Sequence, residues 1–144
     1  MVQAKTEKKR PLILIVEDHL ETRTFLEMLL GEDYEIDTAE SASEALRRVQ
    51  QRAFDLFLID IALRDSIDGT ALVGMLRTQE EHKITPMIAM TAHQLQEDRQ
   101  YYLDHGFDDY VGKPFYPQDL LDLIADLLNQ RSPIEGGADS SPQA

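Results

Sequence analysis

The sequence predicts a three-layer α/β sandwich of five βα units, with a parallel sheet in the strand order 2-1-3-4-5, and three observations carry that prediction. Residues 12–16 (LILIV), 56–59 (LFLI) and 87–90 (MIAM) are unbroken apolar runs, the pattern of central parallel strands buried on both faces. The segments between them switch to helical periodicity. Each run is also followed directly by a polar group able to do chemistry.

Taken in order, the first strand at 12–16 leads into a helix with the stripe Phe25, Leu26, Leu29 and Leu30, ended by Gly31. Residues 34–38 (YEIDT) alternate, which suits an edge strand. Ser41 and Glu44 then form a capping box ahead of Ala45, Leu46 and Val49. After the third strand, Leu72, Val73 and Leu76 make the stripe of a third helix. The fourth strand is followed by a helix expected from about Gln94 to His105, with Gly106 as its stop. A short segment at 109–111 (DYV) suits the other edge, and a fifth helix starts at Pro117 and runs through Leu120, Leu123, Ile124, Leu127 and Leu128. Three buried strands in the middle and two modest ones at the edges give the order 2-1-3-4-5, with right-handed crossovers.

Composition bounds the function. The chain of 144 residues suits one domain, expected at 11–130 between disordered tails at 1–10 (MVQAKTEKKR) and 131–144 (RSPIEGGADSSPQA). A net charge of −13 argues against direct binding to nucleic acid or to an anionic membrane, and points to a protein partner. Cysteine is absent, so there is no disulfide framework, and the apolar run after the basic start is too short for a signal peptide. A cytoplasmic location is the expectation.

In an open parallel sheet all strand C-termini open on one edge, so Glu17-Asp18, Asp60, Thr91 and Lys113 should converge in one crevice. Carboxylates suit a hard divalent cation, while an ammonium and a hydroxyl suit phosphate oxygens. His19, His82 and His105 show no ligand spacing and read as surface or helix-end residues, and Tyr101 and Tyr102 read as ordinary packing.

Across 11–130 the motifs ILIVEDH, LFLID, AMTA and GFDDYVGKPF together resemble the receiver domain of bacterial response regulators in two-component signalling, close to the chemotaxis-regulator type and its flavodoxin-like fold. The resemblance implies that Asp60 is the phospho-acceptor, served by a sensor histidine kinase or a histidine phosphotransfer protein. It implies that Mg²⁺ is held by Glu17, Asp18, Asp60 and the backbone carbonyl of Ala62, and that Lys113 and Thr91 engage the phosphoryl group. Tyr110 matches the aromatic switch partner of Thr91, and Pro114 matches a cis proline. Ala62 and His93 occupy the two positions that tune dephosphorylation. Such a domain is no enzyme beyond its own phosphorylation and dephosphorylation, and it signals through the face of its fourth helix, fifth strand and fifth helix, to a downstream target or to a second copy.

Two departures stand out. Arg64 replaces the usual Pro, and Gly69 lies nine residues after Asp60, one more than the family's spacing. A dehalogenase-like phosphatase would need a second Asp where Ala62 stands, and a nucleotide-binding domain would need glycines where Glu17, Asp18 and His19 stand. The remaining alternative is a receiver-like interaction module that acts without phosphorylation. No output domain follows residue 130, so the expectation is a stand-alone receiver, with a relay intermediate or a piece of a longer protein as the other options.

Overall fold

A computed structural model of the chain describes residues 9–92 and 98–131. Most of both expected tails, together with His93 and the expected helix start at Gln94, lies outside the described residues. Strands β1 (Leu12–Val16), β2 (Glu35–Ala39), β3 (Leu56–Asp60), β4 (Met87–Thr91) and β5 (Asp109–Gly112) form one parallel sheet in the order β2-β1-β3-β4-β5. Between them run α1 (Leu20–Leu30), α2 (Ala42–Gln51), α3 (Gly69–Arg77), α4 (Asp98–Asp104) and α5 (Pro117–Arg131), with a 3₁₀ turn at Glu80–His82.

The apolar runs behave as their composition dictates. Every residue of β1, β3 and β4 is buried, whereas β2 and β5 at the edges are only partly covered. Side chains alternate between two cores. Leu14, Val16, Phe57, Ile59, Met87 and Ala89 face α2, α3 and α4, while Ile13, Ile15, Leu56, Leu58, Ile88 and Met90 face α1 and α5.

Local signals explain the helix ends. Ser41 Oγ accepts the Glu44 N–H at 3.1 Å, and the Glu44 carboxylate accepts the Glu40 N–H at 2.8 Å, so the capping box closes one residue earlier than its sequence form. Asp68 caps α3 by accepting the Ala71 N–H at 2.9 Å. Past α4 the chain turns at Gly106, whose φ of +114° only glycine adopts readily.

Three expectations need correction. Phe25 lies outside the α1 core stripe: it is 45% exposed and rests against Phe115, ring centroids 6.3 Å apart, while Leu26 and Leu30 fill the core. The second strand begins at Glu35 rather than Tyr34. His82 is 1% exposed, because the 3₁₀ turn folds it edge-on against Phe57, where its Nδ1 sits 2.9 Å from the Thr85 hydroxyl. Arg10 donates to the Gly31 carbonyl at 2.6 Å.

Candidate functional site

The strand ladders continue past β1, β3 and β5, and that extension builds the site. Glu17 N–H bonds the Ala39 carbonyl, Ile61 N–H the Met90 carbonyl, and Lys113 N–H the Thr91 carbonyl. Side-chain alternation therefore persists to the strand tips. Glu17 and Asp60 continue the row that faces α1 and α5, Lys113 follows the row of Val111, and Thr91 continues the opposite row, which faces α2, α3 and α4.

Glu17 is fully buried, and each carboxylate oxygen has a partner. Oε1 accepts from Lys113 Nζ at 2.9 Å and Oε2 from the His19 N–H at 3.0 Å. Asp60, 3% exposed, accepts the Ala62 N–H on Oδ1 at 3.0 Å and places Oδ2 3.4 Å from Lys113 Nζ. One ammonium thus bridges two buried carboxylates. Burial pushes the Asp60 carboxyl above its ordinary range; the Ala62 N–H opposes this, Glu17 reinforces it and Lys113 opposes it, with a net rise. For Lys113 burial is again the largest influence and acts downward, but the Glu17 hydrogen bond and the charges of Asp60 and Glu17 prevail and hold its pKa up. Lys113 stays charged.

Asp18 lies beside this pair. Its Oδ2 accepts the Arg64 N–H at 2.9 Å, while its Oδ1 is buried without a hydrogen bond, 3.4 Å from His19 Nδ1. Ligand atoms of Glu17, Asp18 and His19 lie within 4.8 Å of one another. A buried carboxylate oxygen with no hydrogen bond, close to the Glu17 carboxylate, fits a hard divalent cation. His19 is the surface, helix-end residue that its sequence suggests, directly before α1. Its side chain is 59% exposed, yet its Nδ1 also comes within 3.4 Å of Glu17 Oε2.

The lengthened loop after β3 is closely tied. Beyond the Arg64 bond, Asp65 Oδ2 accepts from the Ser43 N–H and hydroxyl at 3.1 and 3.2 Å, and Oδ1 from the Ser66 N–H at 2.7 Å. The amides of Ser43 and then Ser66 hold the Asp65 carboxyl below its usual range. Gly69 closes the loop, and a Cβ there would fall 2.3 Å from the Asp60 carbonyl oxygen and 2.8 Å from Ile61 Cα. Gly69→Ala must therefore displace the backbone that carries Asp60. We expect it to cost about 1–3 kcal/mol in urea unfolding; an unchanged midpoint would show that the loop absorbs the methyl group.

Thr91 is 2% exposed and accepts a hydrogen bond from the Tyr102 hydroxyl at 3.0 Å. Tyr110, half-buried, packs its ring on Tyr102 at 5.5 Å. The Lys113–Pro114 peptide is cis. Beside Lys113 a groove of about 480 Å³ opens, lined by Glu21, Thr22, Phe25, Lys113, Pro114 and Phe115. Among the described residues, no helix is long and apolar enough to cross a membrane.

A family model described as the response regulator receiver domain matches residues 13–125. The chain is 35% identical over 121 residues to the transcriptional regulatory protein ResD of Bacillus subtilis, covering 83% of this chain and 49% of ResD, so it spans about half the length of that relative. Among solved structures, a putative response regulator from Chloroflexus aurantiacus superimposes with a TM-score of 0.79 at 31% identity, over 84% of this chain and 99% of the other. The receiver domain of the sensor histidine kinase PA1611 from Pseudomonas aeruginosa, solved with a magnesium ion coordinated in its active site cleft, gives 0.75 at 30%, over 83% and 98%. Motifs, strand order and these matches agree over the same stretch of chain, which belongs to the response regulator receiver family of two-component signalling.

Proposed function

We propose that the chain accepts a phosphoryl group on Asp60 from the phosphohistidine of a sensor kinase or a histidine phosphotransfer protein. One observation carries the reading: a buried Asp60 carboxylate shares a single ammonium, Lys113, with a second buried carboxylate. In the transfer an Asp60 oxygen forms a bond to phosphorus as the phosphorus–nitrogen bond of the donor breaks, leaving an acyl phosphate and a free imidazole. Lys113 then exchanges part of its carboxylate pairing for a phosphoryl oxygen, and Thr91 offers its hydroxyl to another. Glu17, Asp18, Asp60 and the Ala62 carbonyl would hold Mg²⁺, which when bound supplies the positive charge that offsets the crowded carboxylates and the incoming phosphoryl group. The groove between α1 and the Lys113 loop, with its exposed Phe25, gives the donor an apolar approach.

The output is a population shift read from the face of α4, β5 and α5, by a downstream protein or by a second copy of the chain. Moving a mostly inactive domain to a mostly active one takes about 5.5 kcal/mol of differential stabilisation, within reach of several charge-assisted bonds in a partly dry crevice. The setting is the cytoplasm, and the chain's excess negative charge turns it away from nucleic acid and anionic lipid.

Intact mass after incubation with acetyl phosphate tests the reading. One phosphoryl group should appear with Mg²⁺, and none with EDTA or in Asp60→Ala. Absence of any gain in the wild type would favour an interaction module that works without phosphorylation. The lifetime of the product offers a second test: the small apolar Ala62 cannot position a hydrolytic water, so Ala62→Asn should shorten it. Unchanged decay in both Ala62→Asn and His93→Ala would sink that assignment.

A further inference from the structure

Periodicity treats Tyr101 and Tyr102 alike, and the fold separates them. Tyr101 is 49% exposed, whereas Tyr102 is 4% exposed and reaches the sheet from α4. There its hydroxyl donates to Thr91 Oγ1 at 3.0 Å, between two buried groups. Its ring lies against Tyr110, centroids 5.5 Å apart, and edge-on to Phe107 at 6.1 Å. A buried phenol needs a partner for its hydroxyl, and Thr91 provides one.

Strand alternation gives this contact its meaning. Asp60 and Glu17 continue the row facing α1 and α5, while Thr91 and Tyr110 belong to the row facing α2, α3 and α4. The Thr91 hydroxyl is therefore engaged on the side of the sheet opposite the acceptor row, by a donor borne on α4. We propose that Tyr102 is a positioning residue: its phenol latches the Thr91 hydroxyl toward α4, so that Thr91 reaches a phosphoryl group on Asp60 only by giving up the Tyr102 bond. This rests on the reading of Asp60 as acceptor. Once released, the phenol gives up its bond to Thr91. The helix that carries it feels the change through its own backbone, and β5 feels it through the Tyr110 ring. Release and phosphorylation are linked equilibria, so weakening the latch raises the population ready to hold the phosphoryl group.

The test uses the full chain with acetyl phosphate and Mg²⁺, followed by intact mass. Tyr102→Phe keeps the ring and removes the hydroxyl, and it is expected to gain the phosphoryl group about 2- to 10-fold faster, the factor that one ordinary buried hydrogen bond represents. In a Thr91→Val background the same substitution is expected to change nothing, a dependence that mere packing by the phenol would not produce. Equal or slower gain in Tyr102→Phe, or the same acceleration with and without the Thr91 hydroxyl, overturns the latch and leaves Asp60 standing as acceptor. No gain in the wild type overturns the acceptor reading and the latch with it. Should Tyr102→Phe fail to fold, tyrosine-ring NMR of the wild type decides. Tyr102 signals that shift on adding beryllofluoride with Mg²⁺ uphold the latch, and unmoved signals overturn it.

Discussion

Asp60→Asn is expected to do two opposite things at once: abolish phosphoryl uptake and raise the unfolding midpoint of the metal-free protein. The amide cannot attack phosphorus, which accounts for the first effect. The second follows from the charges around the residue. Glu17 and Asp60 are both buried, and Lys113 lies between them. An Asn keeps the oxygen that accepts the Ala62 N–H and removes one negative charge from beside Glu17. Relief of buried like charge should be worth about 1–2 kcal/mol at neutral pH, or roughly 3–8 °C in Tm for a domain of this size. The pH dependence has a definite sign. Because the Asp60 pKa is raised in the folded state, its contribution to stability is fully present below the unfolded-state pKa and is lost as pH rises through the folded one. The advantage of Asn should be full at neutral pH and shrink on acidification into the carboxylate range. Thermal melts in EDTA across that range, beside intact mass, measure both effects. A variant no more stable than the wild type at neutral pH would show that Lys113 already compensates both acids.

The largest loss of stability is expected from Arg77→Met, far from any phosphoryl chemistry. The guanidinium at the end of α3 donates from Nε and Nη2 to the Gly106 carbonyl at 2.9 and 2.7 Å. From Nη1 it reaches the carbonyls of His82, Lys83 and Thr85 at 3.1, 3.2 and 2.7 Å. It also pairs with Asp108, whose Oδ2 lies 3.0 Å away and accepts the Met87 N–H as well. One side chain thus ties α3, the segment before β4 and the turn into β5. Its removal strands several carbonyls at once, and a loss of about 3 kcal/mol is expected. Arg77→Lys should recover little of it, since a single ammonium cannot span the same fork of acceptors. Urea unfolding is the measurement, with a lower midpoint at unchanged slope as the expected result. A loss below about 1 kcal/mol would mean that water replaces the guanidinium.

The unbroken runs of β1, β3 and β4 made the sheet legible, because a strand covered on both faces is apolar up to its tip, where Asp60 and Thr91 stand. Convergence of Glu17, Asp60 and Lys113 was legible for the same reason, since strand tips are where a parallel sheet opens. What stayed hidden depends on contacts distant in sequence. His82 looks like a polar loop residue until the 3₁₀ turn carries it against Phe57. Arg77 looks like an ordinary basic residue at a helix end, and nothing in its neighbours in sequence announces four carbonyl acceptors. Tyr102 fits a helical stripe whichever way its hydroxyl points. Phe25 fits one too, although on α1 it lies just outside the buried arc.

The loop between Asp60 and Gly69 has one residue more than its family's spacing, and it is fastened along its length. Ala62 is held by Asp60, the Arg64 amide by Asp18, Asp65 by Ser43, and the Gly69 amide by the Ile61 carbonyl at 3.2 Å. An unfastened insertion would have to be frozen whenever a partner pressed against it, at about 1–2 kcal/mol for each backbone residue ordered. Here that ordering already belongs to folding. On the proposed reading, a donor protein would meet a rim already tied in place, and selectivity among donors would rest on geometric fit at first encounter.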